Sequence, residues 1–127
     1  MALSGSFYNY PVKSFGLYCE WSASQSVTGN YSNVTLKVYL SYWDLYVGAR
    51  DDGVINIAGN SSNFSTAAIS ESSSGWKKKL IAQKTVTVYH DGNGNANCYL
   101  GASWRFSGTY SGTSIGTITA EQTVSLD

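Results

Sequence analysis

The chain has 127 residues, zero formal net charge, and a charged fraction of 13% against 14% aromatic residues. This length fits one domain, and we treat residues 1–127 as a single domain. Zero net charge gives no long-range attraction to nucleic acid or to an anionic membrane. No apolar run approaches the ~20 residues of a spanning helix, and a surplus of Ser, Thr, Asn and Gly excludes a long-helix protein.

Apolar residues at alternate positions predict half-buried β-strands. The first such strand begins at Phe15, and the last ends at Leu126. In chain order, the predicted strands cover 15–23, 34–42, 45–50, 54–58, 64–69, 77–90, 96–106 and 118–126.

Turn-forming sequences separate these strands. The predicted turns are Thr28–Asn30, Asp51–Gly53, Gly59–Asn63, Ser72–Gly75 and Asp91–Gly94. The last is the strongest hairpin prediction, because Asp-Gly and Asn-Gly supply the positive φ of tight hairpin turns. About seven to nine short strands joined in this way predict an all-β fold, an antiparallel β-sandwich that is immunoglobulin-like or related, with a barrel as the alternative.

The inward positions of these strands predict one hydrophobic core. Its expected members are Leu17, Cys19, Trp21, Leu36, Val38, Val88, Cys98, Leu100 and Trp104. The two cysteines could meet across the sandwich as an inter-sheet disulfide does. The first six residues lack the basic and apolar regions of a signal peptide, which favours synthesis in a cytoplasm. We therefore expect buried free thiols.

Metal binding has little support in the sequence. His90 is the only histidine, and no Cys or second His lies near it to complete a zinc site. Asp44, Asp51 and Asp52 surround a predicted loop and leave a weak calcium site open. We predict no metal and no cofactor.

Catalysis has little support either. A serine-hydrolase triad would have to use His90, and the chain has no Gly-x-Ser-x-Gly elbow. A glycosidase needs two carboxylates across a cleft, yet Glu20, Glu71 and Glu121 are scattered along the chain. We therefore predict that the chain is not an enzyme.

Aromatic residues that do not fit the core suggest a binding surface. Tyr39 and Trp43 lie on the strand face opposite Val38 and Leu40. Exposed rings stack on the apolar faces of sugars while neighbouring polar groups bond the hydroxyls. Alternatively, these rings pack under loops, across a sheet or against another subunit. The candidate ligand-binding residues are Tyr39, Tyr42, Trp43, Tyr46 and Tyr99.

Four short motifs give the chain a family resemblance. They lie in Leu17–Ser26, Asn30–Thr35, Thr87–Gly94 and Thr123–Asp127. A strand with Trp-x-x-x-Gln precedes Asn-x-Ser-x-Val, and a later strand ends in His-Asp before a Gly-containing turn. Over residues 17–127 the chain resembles the β-sandwich modules of minor structural proteins in siphophages of Gram-positive bacteria.

The resemblance implies a non-enzymatic tail or fibre component of a virion. Such a module is assembled in the host cytoplasm and acts at the bacterial cell surface. The implied partners are other virion subunits, in an arrangement compatible with an oligomer. Bacterial surface saccharide is the partner that the aromatic candidates suggest. The alternative is a purely structural assembly module that contacts only other subunits. The resemblance carries over no catalytic or ligand-binding residues.

Overall fold

Eight strands make up the fold in the computed structural model, which describes residues 4–13, 15–26, 28–92, 96–110 and 112–126. They are β1 (Ser4–Val12), β2 (Phe15–Ser26), β3 (Tyr31–Val47), β4 (Arg50–Ile57), β5 (Asn60–Thr66), β6 (Ile69–Tyr89), β7 (Asn97–Tyr110) and β8 (Thr113–Ser125). Within these ranges, no helical segment has the length and hydropathy that a membrane span requires.

The strands form two four-stranded antiparallel sheets that share one core. The first sheet has the order β1-β2-β3-β6, and the second sheet has the order β5-β4-β7-β8. The predicted antiparallel β-sandwich is therefore confirmed. Its order differs from that of an immunoglobulin constant domain, in which the third strand crosses to the opposite sheet. Here β3 stays beside β2, with pairs from Phe15 and Tyr42 to Ser26 and Tyr31.

One long two-stranded ribbon contributes to both sheets. Strands β3 and β6 pair until Val47 meets Ile69, and the pairing resumes in the second sheet where Arg50 meets Thr66. The ribbon therefore folds over at residues 48–49 and 67–68. Its tip is Ala58–Gly59, whose φ angles of 53° and 88° are those of a type I′ turn. The turn predicted at Gly59–Asn63 is thus shorter, and Asn60 already belongs to β5.

Two predicted turns are irregularities inside strands instead. The register of β3 against β6 shifts between Tyr42 and Asp44, which places Ser72–Gly75 within β6. The register of β4 against β5 shifts between Arg50 and Gly53, in the segment predicted as a turn. The first irregularity sets residues 73–76 of β6 against Trp43, and the second sets residues 51–52 of β4 against residue 65. Bulges accommodate extra residues within a strand, so the small polar residues that signal turns also occur there.

The hairpin predicted at Asp91–Gly94 is wrong, because the strands on either side of it, β6 and β7, do not pair with each other. Residues 93–95 lie outside the described residues, but β6 and β7 belong to opposite sheets. The segment therefore crosses between sheets. The neighbours of β7 are β4 and β8 instead.

The core lies between the sheets and contains eight of the nine predicted members, with Val88 only partly buried. Trp104 is fully buried; its ring packs edge-on to Phe15, with 6.5 Å between centroids, and 5.8 Å from Phe106. Its indole Nε1 donates a 3.1 Å hydrogen bond to Thr66 Oγ1. Both cysteines are free and buried, as predicted.

Candidate functional site

The five aromatic residues predicted as a ligand-binding set do not form one surface. Tyr42 is only 2% exposed and belongs to the core. Tyr39 lies on the outer face of the first sheet, and Tyr99 lies on the outer face of the second. Trp43 and Tyr46 are 42% and 53% exposed near the corner where the ribbon leaves the first sheet. The alternation already placed Tyr42 with Val38 and Leu40, so its inclusion contradicted the strand pattern.

A different set of rings forms an aromatic surface on the outer face of the first sheet. The register places Tyr8, Tyr18 and Tyr39 side by side on β1, β2 and β3. Tyr8 stacks with Tyr18 at a centroid distance of 6.3 Å and an interplanar angle of 16°. Tyr10 contacts Tyr8 edge-on at 5.4 Å and Trp76 of β6 at 5.7 Å. We call these five residues the aromatic strip.

Lys78 holds the centre of the aromatic strip in place. Its Nζ lies 5.0 Å from the ring centroid of Tyr18 and 4.9 Å from that of Tyr39. The same ammonium donates a 3.2 Å hydrogen bond to Glu20 Oε1. This hydrogen bond raises the pKa of Lys78, so the lysine stays charged. A cation between two ring faces gains from their negative quadrupoles, which fixes three strands' side chains in one arrangement.

A shallow depression of about 420 Å³ adjoins the strip. Two further rows of side chains line it, in register with the tyrosines. The first row is Ser6, Glu20 and Lys37 on β1, β2 and β3, and the second is Ser4, Ser22 and Thr35 on the same strands. Ring faces, charged groups and hydroxyls thus succeed one another along the sheet.

Hydrogen bonds to β6 order the far side of this face. Thr35 Oγ1 lies 2.9 Å from Thr85 Oγ1, and Thr87 donates a 2.8 Å hydrogen bond to Asn33 Oδ1. Polar pairs directly opposite each other stabilise a sheet and restrict side-chain rotation. Hydroxyl and amide groups on this face therefore lie beside the aromatic strip.

The carboxylates weighed for glycoside hydrolysis do not flank one cleft. Glu20 lies on the outer face of the first sheet, whereas Glu121 accepts a 2.7 Å hydrogen bond from the Tyr99 hydroxyl on the second. This bond raises the pKa of Tyr99. The side chain of Glu71 lies outside the described ones. Glu20 and Glu121 therefore lie on opposite sheets of the sandwich.

The segments considered for metal binding have structural partners. His90 Nε2 lies 2.7 Å from the hydroxyl of the fully buried Ser32, and the Asn30 side chain donates to the carbonyl oxygens of His90 and Asp91. Asp52 lies 3.7 Å from Arg105, and the side chain of Asp44 falls outside the described ones. Across the described ranges, no three His, Cys, Asp or Glu side chains are grouped to hold a metal.

The sequence reasoning missed four members of the aromatic strip. Strand β1 was not predicted, because Phe7 is its one buried residue and period-two burial was the signal used. Tyr8 and Tyr10 nevertheless alternate along that strand, and Tyr18 interleaves with the predicted core positions of β2. Trp76 directly precedes three consecutive lysines, Lys77–Lys79. The outward-facing positions of the strands, which alternate with the core positions, therefore contain the tyrosines of the aromatic strip.

Comparison with known proteins found no matching family model, no matching curated protein and no matching solved structure. The geometry of the first sheet's outer face therefore supplies the structural argument for function.

Proposed function

We propose that this chain is a non-enzymatic attachment module that binds saccharide on the outer face of its first sheet. The observation that carries the proposal is the adjacency of the aromatic strip and the depression lined by hydroxyl, carboxylate and ammonium groups. Rings offer a surface for the apolar faces of sugars, and the polar rows offer donors and acceptors for their hydroxyls.

The dimensions of the strip favour an extended ligand. Neighbouring strands lie about 4.8 Å apart, so the rings of Tyr8, Tyr18 and Tyr39 span about 10 Å across three strands. Tyr8 is 65% exposed and Trp76 is 55% exposed, which leaves both rings accessible to a ligand. A chain of sugar units can therefore run along the strip without entering an enclosed pocket.

The setting of this activity comes from the motif resemblance. We propose that the chain is a tail or fibre component of a virion that acts at the surface of a Gram-positive cell, beside other virion subunits. A shallow site of this kind binds weakly, and a millimolar Kd corresponds to only about 4 kcal/mol. Display in many copies raises avidity by roughly 10² to 10⁴ without any new contact.

Binding of a multimerised fluorescent form of the chain to Gram-positive cells and to purified wall polysaccharide tests this proposal. Tyr18→Ala should abolish binding, because the ring lies at the centre of the strip and contacts both Tyr8 and Lys78. Tyr99→Ala is the matched control, since this partly exposed tyrosine lies on the opposite sheet. Failure of the wild-type multimer to bind either target, or equal binding by Tyr18→Ala, would reject the proposal.

A structural assembly role is the second candidate, and the edge of the second sheet favours it. Strand β5 is an edge strand, and its residues Asn60–Thr66 include no charged residue and no proline. Natural edge strands usually carry such groups to prevent pairing with another chain. Sedimentation at low micromolar concentration tests this role. A stable trimer or larger ring without saccharide binding would favour assembly over attachment.

A further inference from the structure

The charges around the depression are unequal in sign. Lys37 and Lys78 contribute two positive charges, against the single negative charge of Glu20. The chain as a whole has no net charge, whereas these three side chains carry one more positive charge than negative charge. A neutral sugar would need only the rings and hydroxyls that are already present.

The two lysines differ in what they already contact. Lys78 is engaged by Glu20 and by the faces of Tyr18 and Tyr39. The carboxylate of Glu20 is in turn engaged by Lys78, although the backbone register places Glu20 directly opposite Lys37. The Lys78 ammonium therefore has a structural role within the strip.

Lys37 has no such engagement. It is exposed, it lines the depression, and within the described part of the chain its ammonium forms no ion pair or hydrogen bond. Its neighbour on β6 is the uncharged Gln83. An uncommitted ammonium beside a ring platform and four hydroxyl groups is a complement for a sugar that carries an anionic group.

We infer that the depression selects acidic saccharides, with Lys37 as the side chain that binds the carboxylate or phosphate group. This inference rests on the proposed function and adds the charge class of the ligand. The sugar ring lies on the aromatic strip, and its anionic substituent reaches Lys37 in the first polar row, beside Ser6 and Glu20. Glu20 opposes the anion, so it limits the affinity of the site.

Affinity electrophoresis in native gels tests the inference, because it detects weak binding. The gels contain hyaluronan, carboxyl-reduced hyaluronan or a hexose-phosphate polymer, and the two acidic polymers distinguish carboxylate from phosphate as the preferred anionic group. An exposed ion pair contributes about 0.2–1 kcal/mol, which corresponds to an effect on Kd between about 1.4-fold and fivefold. We expect the wild type to bind an acidic polymer tighter than the reduced polymer by about this factor. High salt should remove the difference.

Variants assign the preference to Lys37. Lys37→Gln should abolish the advantage of the acidic polymer and leave binding to the reduced polymer intact. Glu20→Gln should strengthen binding to the acidic polymer, because it removes the opposing charge and frees Lys78. Lys79→Gln is the control for net charge, since this exposed lysine of β6 does not line the depression.

The outcomes separate the inference from the function beneath it. Equal binding of the reduced polymer and both acidic polymers would overturn the acidic preference while saccharide binding stands. The acidic preference would also be overturned if Lys37→Gln altered binding no more than Lys79→Gln does. Absence of retardation by all three polymers would contradict saccharide binding itself.

Discussion

Burial controls the chemistry of the two cysteines. Cys19 and Cys98 are fully buried, and desolvation raises the pKa of Cys19 to about 12 and the pKa of Cys98 in the same direction. A thiol is a nucleophile only as its thiolate. At neutral pH both groups are therefore protonated and shielded from reagents.

We predict that iodoacetamide leaves the native protein unmodified at pH 8 and alkylates two cysteines after denaturation without reductant. Mass spectrometry counts the modifications. The folded pKa of Cys19 lies above the value of 9.0 for an unperturbed thiol, so the unfolded state loses its proton first as pH rises. The free energy of unfolding should therefore fall from about pH 9 towards pH 12. A denatured mass two units lower with no alkylation would mean a disulfide.

Individual residues show where sequence reasoning succeeds. Alternation predicted buried positions such as Leu17 and Cys98 because burial in a sandwich follows the two-residue period of a strand. The same period places Tyr8 and Tyr18 outward, but it does not reveal that they meet, since their contact depends on the register between two strands. The sequence therefore predicts the outward positions of these tyrosines but not their contact with each other.

At the scale of elements, the tip of the folded ribbon needs glycine at one position. Gly59 has a φ of 88°, and a Cβ at this position would meet no atom within 4 Å. A substitution by alanine would therefore strain the backbone conformation without causing a steric clash. The neighbouring Asn56 Oδ1 accepts a 3.0 Å hydrogen bond from the Gly59 backbone N–H, which fixes the turn.

We predict that Gly59→Ala lowers the free energy of unfolding by about 1–2 kcal/mol, the typical penalty for an L-residue in left-handed backbone. Chemical denaturation followed by circular dichroism measures the change. Gly116→Ala is the matched control, because Gly116 also has open space around its Cβ position but lacks a positive φ. Equal effects of the two substitutions would exclude turn conformation as the cause.

The elements also show why some predicted turns are turns in the structure and others lie within strands. Thr28–Asn30 forms a turn, as its composition indicates, whereas Asp51–Gly53 and Ser72–Gly75 lie within strands. A turn and a bulge use similar small polar residues, and the pairing partner decides between them. Partner choice between strands distant in the chain is non-local, so the crossing from β6 to β7 was interpreted as a hairpin.

For the whole molecule, the folded ribbon couples the two sheets. Strands β3 and β6 lie in the first sheet, while their continuations β4 and β5 lie in the second. One hydrogen bond joins the two sheets at each edge of the sandwich, from Asn9 Nδ2 to the Thr119 carbonyl oxygen and from Lys84 Nζ to Ser62 Oγ. Neither sheet can lose its inward face without exposing that of the other, so the protein should unfold in one cooperative transition.

Trp21→Ala tests this coupling, because Trp21 belongs to the first sheet and the other core tryptophan, Trp104, belongs to the second. Removal of the buried ring should lower the free energy of unfolding by about 3–5 kcal/mol. In a Trp21→Ala chain whose exposed Trp43 and Trp76 are replaced by Phe, Trp104 is the one remaining tryptophan. Far-UV circular dichroism and the fluorescence of Trp104 should still report coincident midpoints in guanidinium, since Trp104 loses its packing when the first sheet unfolds. Tyr8→Ala on the outer face should lower the unfolding free energy by only about 1 kcal/mol, the typical contribution of an exposed aromatic pair. If the circular dichroism midpoint preceded the fluorescence midpoint, the sheets would be separate folding units.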